Sequence, residues 1–148
     1  MMTGFLLGVI HLAGSPESVS HAREYVRAKL GERHPALDDV VLLVSELVTN
    51  AVVHSDSRNG GTVTLALADH QELVHVDVVD AGAETAPHLG GDVLAEGGRG
   101  LMLVDLIAHR WNVHEDGHGR TVWFEVKYRP GGEHRPGDAP PIPWQREP

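Results

Sequence analysis

The sequence predicts an α/β two-layer sandwich in which helices cover one face of a mixed, mostly antiparallel sheet. Three observations support this fold class: some segments have apolar residues at helical spacing, others alternate apolar with polar residues, and the strand-like segments mostly follow one another in pairs. Paired strands favour hairpins over the long crossovers of a doubly wound parallel sheet. A length of 148 residues suits one ordinary domain.

The first half of the chain should supply one strand and two helices. The apolar run Phe5 to Ile10 predicts a strand, because it lacks a basic leader and is too short to span a bilayer. Ser15-Pro16-Glu17 has the composition of a capped helix start, and that helix should end near Leu30. A second helix should begin near Pro35 to Asp38 and end at His54, because apolar residues recur along one face at Val40, Val44, Leu47 and Ala51.

The second half should supply a hairpin, a long loop, a helix and a second strand pair. The hairpin strands are expected over Thr62 to Ala68 and Leu73 to Val79. Ala81 to Gly98 is rich in glycine and has no apolar period, which is typical of a functional loop. The later elements are a helix and two strands, expected at Arg99 to His109, Arg110 to His114 and Arg120 to Tyr128.

The last 20 residues are expected to be disordered, in contrast to the rest of the chain. We predict one folded domain over residues 1–128 and a disordered tail over 129–148, because the tail holds six of the nine prolines and little apolar material. The 12 basic and 21 acidic residues leave a formal charge of -9, which argues against binding a phosphate backbone. The absence of cysteine excludes disulfides and thiolate sites, and a cytoplasmic protein is the default expectation.

The helix ending at His54 has the first pattern of polar residues that suits chemistry. Glu46, Asn50 and His54 are four residues apart and form one stripe on an otherwise apolar helix. Such a stripe lines a cleft, meets a ligand, or is a satisfied pair at the helix edge. In the ligand interpretation Asn50 supplies one oxygen to Mg²⁺, and Glu46 orients and deprotonates a hydroxyl or a water molecule that attacks a γ-phosphate. His54 is more typical of a cap or a packing residue.

Two glycine-containing segments extend this interpretation. Asp80-Ala81-Gly82 follows a strand, and a carboxylate there can accept a hydrogen bond from the exocyclic amine of adenine, although such a turn is also common without function. The segment Gly97-Gly98-Arg99-Gly100-Leu101 places glycines immediately before a helix, whose first N–H groups suit an anion, and Arg99 adds a charged donor. Neither a P-loop nor a Rossmann fingerprint is present.

Together with Gly119-Arg120-Thr121, these segments resemble the ordered sequence boxes of the GHKL (histidine-kinase-like) ATPase superfamily. The resemblance covers about Asp38 to Tyr128, and the lack of a helical phosphoacceptor hairpin makes the chain similar to the stand-alone anti-sigma-factor serine/threonine kinases. It implies the Bergerat fold, bound ATP and Mg²⁺, and phosphorylation of a serine on an anti-anti-sigma partner of the STAS type. A sigma factor is a further implied partner, and a homodimer remains open.

The resemblance also implies residue roles. Glu46 would be the catalytic base, Asn50 the Mg²⁺ ligand, Asp80 the adenine reader and Thr121 its water-bridging companion. Gly82, Gly98 and Gly100 would shape the pocket, and residues 83–97 would form a lid over the phosphates. The full nucleotide-binding set comprises Asn50, Asp80, Gly82, Gly98, Arg99, Gly100, Leu101 and Thr121.

Two other functions stay open from the sequence. The chain can be a non-catalytic module whose partner surface is ordered by ATP, since members of such a family need not all be active kinases. The 11 histidines suggest a metal-binding or small structural protein, but they are scattered and include no HExxH motif.

Overall fold

The computed structural model describes residues 5–54, 61–81, 98–117 and 119–129. The order of elements is the predicted one. The strands are β1 (Phe5–Ala13), β2 (Thr62–Asp69), β3 (Leu73–Asp80), β4 (Arg110–Asp116) and β5 (Gly119–Lys127). The helices are α1 (Glu17–Leu30), α2 (Leu37–His54) and α3 (Gly98–Ile107). Most of the predicted loop and tail lies outside the described residues, so the domain boundary at residue 128 stays a prediction.

The five strands form one open sheet in the order β1-β2-β3-β5-β4. All four of these strand pairings are antiparallel, and the predicted hairpins β2–β3 and β4–β5 are both present. The predicted α/β sandwich is therefore confirmed. Strand β1 continues beyond Ile10 to Ala13, because Leu12 pairs with Val63 and both side chains are buried in the core.

The start of α1 differs from the predicted cap at Ser15. The structure places the cap position at Pro16, which has no side-chain cap hydrogen bond, and the helix begins at Glu17. The backbone N–H of Ser18 donates to the carbonyl of Ser15, and the Ser18 hydroxyl donates to the carbonyl of Ala13. Ser18 therefore ties the helix start to the end of β1.

The core lies between α2 and the sheet. The buried face of α2 is apolar, and β2, β3 and β5 each turn alternate apolar side chains toward the helices. Its largest fully buried side chains include Phe124, Leu43, Leu65, Leu67, Val44 and Val48. Burying each such apolar side chain contributes about 1.5–3 kcal/mol. Helix α2 also packs against α1 and α3, so it is the central element of the helical layer.

The other face of the sheet has a charged cluster. His75 contacts Asp77 at 3.2 Å and Glu125 at 3.0 Å, and Arg110 binds the same Glu125 at 2.7 Å. The His75 ring stacks on Trp123 with ring centroids 5.4 Å apart. Cross-strand pairs on β3, β5 and β4 thus hold this face together.

The neighbouring charges shift the pKa values of two members of this cluster. The hydrogen bond to Asp77 raises the pKa of His75, burial opposes this, and the hydrogen bond to Glu125 raises it further. Burial by itself would raise the pKa of Glu125, but His75 and Arg110 outweigh it and hold that pKa below its ordinary value.

A pH-dependent contribution of His75 to stability follows. Because folding raises its pKa, the stabilisation is fully present below the ordinary histidine value of about 6.5 and is lost as pH rises through the folded-state pKa. His75→Gln should therefore reduce the free energy of unfolding more at about pH 6 than at about pH 9. Urea unfolding at both pH values measures this difference. His21→Gln, at an exposed position of α1, is the control, and an equal loss at both pH values would contradict the prediction.

Candidate functional site

The predicted site residues that the structure describes lie in two groups. Glu46 and Asn50 on α2 meet the start of α3 at Gly100. Asp80, at the end of β3, meets Arg120, near the start of β5. Residues 82–97 connect β3 to α3, so in sequence the two groups border the same segment.

The first group depends on a very close approach between two helices. A Cβ atom added at Gly100 would lie 2.6 Å from Asn50 Nδ2 and 3.6 Å from Glu46 Cβ. Gly100 is buried, and Glu46 and Asn50 are half-buried. Only glycine leaves room for the first turn of α3 to pack directly over both polar side chains. The spacing of Glu46 and Asn50 by one helical turn places them together on that contact face.

The start of α3 adds an anion-binding element beside these side chains. The helix has ten residues, and the N–H groups of its first turn have no partner within the helix. Those groups and the positive end of the helix dipole favour a phosphate. Val104 is fully buried and anchors the helix, while Leu101 is partly buried against the core. Leu101 therefore contributes to packing, and its place in the nucleotide-binding set stays a prediction.

The donor set of the first group fits Mg²⁺ held with phosphates. Mg²⁺ usually takes only one or two protein oxygens and completes its octahedron with phosphate oxygens and water. Asn50 can supply one oxygen: its Nδ2 is the amide atom nearest Gly100, so its Oδ1 is the farther one. Assignment of the amide atoms follows from the surrounding contacts rather than from the shape of the side chain. Glu46, one turn earlier on the helix, would then lie beside a metal ion held by Asn50.

The second group contains a buried ion pair. Asp80 is only 5% exposed, and its Oδ2 lies 3.1 Å from Nη2 of Arg120. Burying an unpaired carboxylate is costly, and this pair offsets that cost. The backbones of β3 and β5 also approach each other closely here. A Cβ at Gly119, whose φ is 154°, would collide with the carbonyl oxygen of Asp80. Gly119 therefore allows β5 to begin directly beside the end of β3.

The register of β5 separates Thr121 from Asp80. Arg120 pairs with Asp80, and Thr121 pairs with Val79. In a strand, successive side chains point to opposite faces, so Thr121 lies on the face that carries Trp123. Asp80 lies on the helix-covered face, in line with buried Val78. The structure thus places Arg120 rather than Thr121 beside Asp80, and the water-bridging role of Thr121 stays a prediction.

Arg120 is the residue that the sequence reasoning missed. A signal for it exists: Val122, Phe124 and Val126 alternate as core residues, and extending that alternation back by two positions places Arg120 on the same face. The remaining predicted residues cannot be compared in this way. Gly82 and the side chains of Arg99 and His54 lie outside the described part of the structure, and Gly98 is described only as the first residue of α3.

Within the described ranges, no group of three or more His, Cys, Asp or Glu side chains is close enough to hold a metal ion. The described histidines therefore form no cluster of the kind that the metal-binding alternative requires. No helix in those ranges is long and apolar enough to span a membrane.

Comparisons with known proteins agree with the geometry. The family model described as "Histidine kinase-like ATPase domain" matches residues 12–126. An anti-sigma F factor from Clostridium acetobutylicum is 38% identical over 69 residues, which cover 45% of this chain and 48% of that protein. Serine-protein kinase RsbW from Staphylococcus epidermidis is 29% identical over 136 residues, which cover 80% of this chain and 84% of that protein. RsbW from Oceanobacillus iheyensis is 28% identical over 108 residues, covering 62% and 68%.

Substituting Gly100 by alanine should separate ligand binding from stability. The new Cβ must displace the Asn50 amide, which is 2.6 Å away, but alanine is favoured over glycine in a helix by about 1 kcal/mol. Gly100→Ala should therefore lower the affinity for Mg²⁺-ATP by roughly tenfold and shift the melting temperature by only a few degrees. Calorimetric titration and thermal unfolding measure the two effects.

The matched control is Gly117→Ala in the β4–β5 turn, where an added Cβ has nothing within 4 Å. It should change neither quantity. Wild-type Mg²⁺-ATP affinity in Gly100→Ala would show that the close contact with Asn50 has no part in binding.

Proposed function

This chain belongs to the histidine kinase-like ATPase domain family, and on that basis we propose that it is an ATP- and Mg²⁺-dependent serine/threonine protein kinase acting as an anti-sigma-type regulator of transcription. One observation carries the proposal: Gly100, in the first turn of α3, packs directly against Glu46 and Asn50. That contact combines an anion-binding helix start, an oxygen ligand and a carboxylate in one place.

Each element of the first group has a distinct role in phosphoryl transfer. The N–H groups at the start of α3 bind the phosphates, and Asn50 holds Mg²⁺ together with the phosphate oxygens. Magnesium, when bound, neutralises charge that develops on the transferred phosphoryl group. Glu46 accepts the proton of the attacking hydroxyl, which a carboxylate beside the phosphates can do. Gly82, Gly98 and Arg99 stay in the proposed binding set on sequence grounds, as does a lid over residues 83–97.

The second group recognises the base. The carboxylate of Asp80 has only acceptor atoms, so it suits the exocyclic amine of adenine and opposes the carbonyl oxygen that guanine has in its place. Asp80 lies on the helix-covered face of the sheet at the end of β3. Its burial gives the hydrogen bond a low-dielectric setting, in which guanine would place a carbonyl oxygen, instead of a donor, against the carboxylate.

The partners are inferred from relatives named "Anti-sigma F factor" and "Serine-protein kinase RsbW". We propose that this chain phosphorylates a serine on an anti-anti-sigma protein of the STAS type and binds a sigma factor. The chain spans about half the length of the anti-sigma F factor, so these partners are proposals. A cytoplasmic location and a homodimer likewise remain proposals. A non-catalytic module that uses ATP only to order a partner surface is the alternative function.

Glu46→Gln distinguishes the kinase from the non-catalytic module. Loss of the base should slow phosphoryl transfer by about 100-fold or more, while the nearly isosteric amide keeps ATP affinity within about twofold. The measurement is transfer of labelled phosphate to a purified STAS-type partner, together with calorimetric titration of ATP. Glu24→Gln, at an exposed position of α1, is the control. Unchanged transfer would remove Glu46 from the base role, and wild type that binds ATP and partner without transfer would favour the module.

Asp80→Asn tests base recognition. The amide keeps the shape of the carboxylate but loses the charged acceptor, so ATP binding should weaken by roughly 1.5–3 kcal/mol. Titration with ATP and GTP measures both affinity and selectivity, and wild type should prefer ATP. Asp77→Asn, on the opposite face of β3, is the matched control. Equal affinity of wild type for the two nucleotides would contradict the role of Asp80.

A further inference from the structure

We infer that Arg120 is a second base-reading residue: it stays paired with Asp80 when adenine binds and donates a hydrogen bond to a ring nitrogen beside the adenine amine. The inference rests on the proposed function, since it assumes that Asp80 receives that amine. The sequence reasoning gave this position to Thr121, which the strand register places on the other face.

The register between strands β3 and β5 places Arg120 beside Asp80. Arg120 pairs with Asp80 in the β3–β5 register, and its Nη2 lies 3.1 Å from Asp80 Oδ2. The two side chains are 18% and 4% exposed, so the pair is largely withdrawn from solvent. Any group that reaches the Asp80 carboxylate therefore also lies close to the guanidinium.

The ion pair occupies only part of the Arg120 guanidinium and leaves hydrogen-bond donors on it. A carboxylate has about four acceptor positions, and a guanidinium has five N–H donors. The buried Nε of Arg120 has no hydrogen-bond partner among the described residues. A bound base can thus receive a hydrogen bond from the guanidinium and give one to the carboxylate without breaking the pair. Keeping the pair also avoids leaving a buried charge uncompensated.

The chemistry of adenine fits this arrangement. Its exocyclic amine is a donor, and ring nitrogens N1 and N7, one on each edge of the amine, are acceptors. Asp80 beside Arg120 presents an acceptor next to a donor, which is the complementary pattern. The hydrogen bond from a guanidinium is charge-assisted and therefore stronger than one from a neutral hydroxyl such as threonine.

Removing Arg120 should change ATP affinity in opposite directions, depending on whether Arg120 reads the base or competes with it for Asp80. If Arg120 competed with the base for Asp80, its removal would free the carboxylate and strengthen ATP binding. If Arg120 reads the base, its removal weakens binding and also abolishes discrimination at one ring nitrogen. Affinity for nucleotide analogues distinguishes the two.

The experiment compares ATP with three analogues by calorimetric titration of wild type, Arg120→Met and Arg120→Lys. The analogues are 1-deaza-ATP and 7-deaza-ATP, which each lack one ring acceptor, and purine riboside triphosphate, which lacks the amine. Wild type should bind one of the two deaza analogues about tenfold more weakly than ATP, as loss of a hydrogen bond to a charged group predicts. Arg120→Met should bind ATP more weakly and show less than about twofold discrimination against that analogue, while still losing affinity for the analogue without the amine.

Arg110→Met is the matched control, because Arg110 pairs with Glu125 on the opposite face of the sheet. It should keep the wild-type pattern. Arg120→Lys retains a charge but not the planar fork, so it should give an intermediate pattern, and it replaces Arg120→Met if that variant does not fold. Equal wild-type affinity for ATP and both deaza analogues, or tighter ATP binding by Arg120→Met, would overturn the inference alone. Failure of wild type to bind ATP would overturn the proposed function as well.

Discussion

The structure depends on the packing of helix α2 between the sheet and the other two helices. The helix must bury its apolar face, including Val44 and Val48, while it keeps Glu46 and Asn50 at the contact with α3. Apolar and polar stripes of one rigid helix meet both demands, because side chains four residues apart share a face. The same packing that stabilises the core therefore holds the two polar side chains in fixed positions relative to the start of α3.

Close backbone approaches, rather than long polar networks, bring the site elements together. Gly100 lets α3 begin against Asn50, and Gly119 lets β5 begin against the carbonyl of Asp80. In both places the missing side chain lets an element come near a residue that we propose binds ATP. A larger residue at Gly100 would displace the Asn50 side chain, and one at Gly119 would displace the backbone at Asp80.

The two faces of the sheet have separate charged pairs on the same strands. Asp80 and Arg120 pair on the helix-covered face, where burial makes each partner depend on the other. His75 and Arg110 both contact Glu125 on the other face, where these contacts contribute to stability and to its pH dependence. Strand alternation keeps these pairs apart, so a variant of one can serve as a control for the other.

The sequence by itself determined the elements, the sandwich, the family and the grouping of Glu46 with Asn50, because these follow from periodicity and from motifs within short segments. The family resemblance also implied that Gly100 shapes the pocket, but it did not show that Gly100 packs against Asn50. Tertiary structure decided what depends on how distant segments meet: the close packing of Gly100 against Asn50, the continuation of β1 to Ala13, and the pairing of Arg120 with Asp80. A shift of one residue along β5 moves a side chain to the other face, so the choice between Arg120 and Thr121 required the strand register.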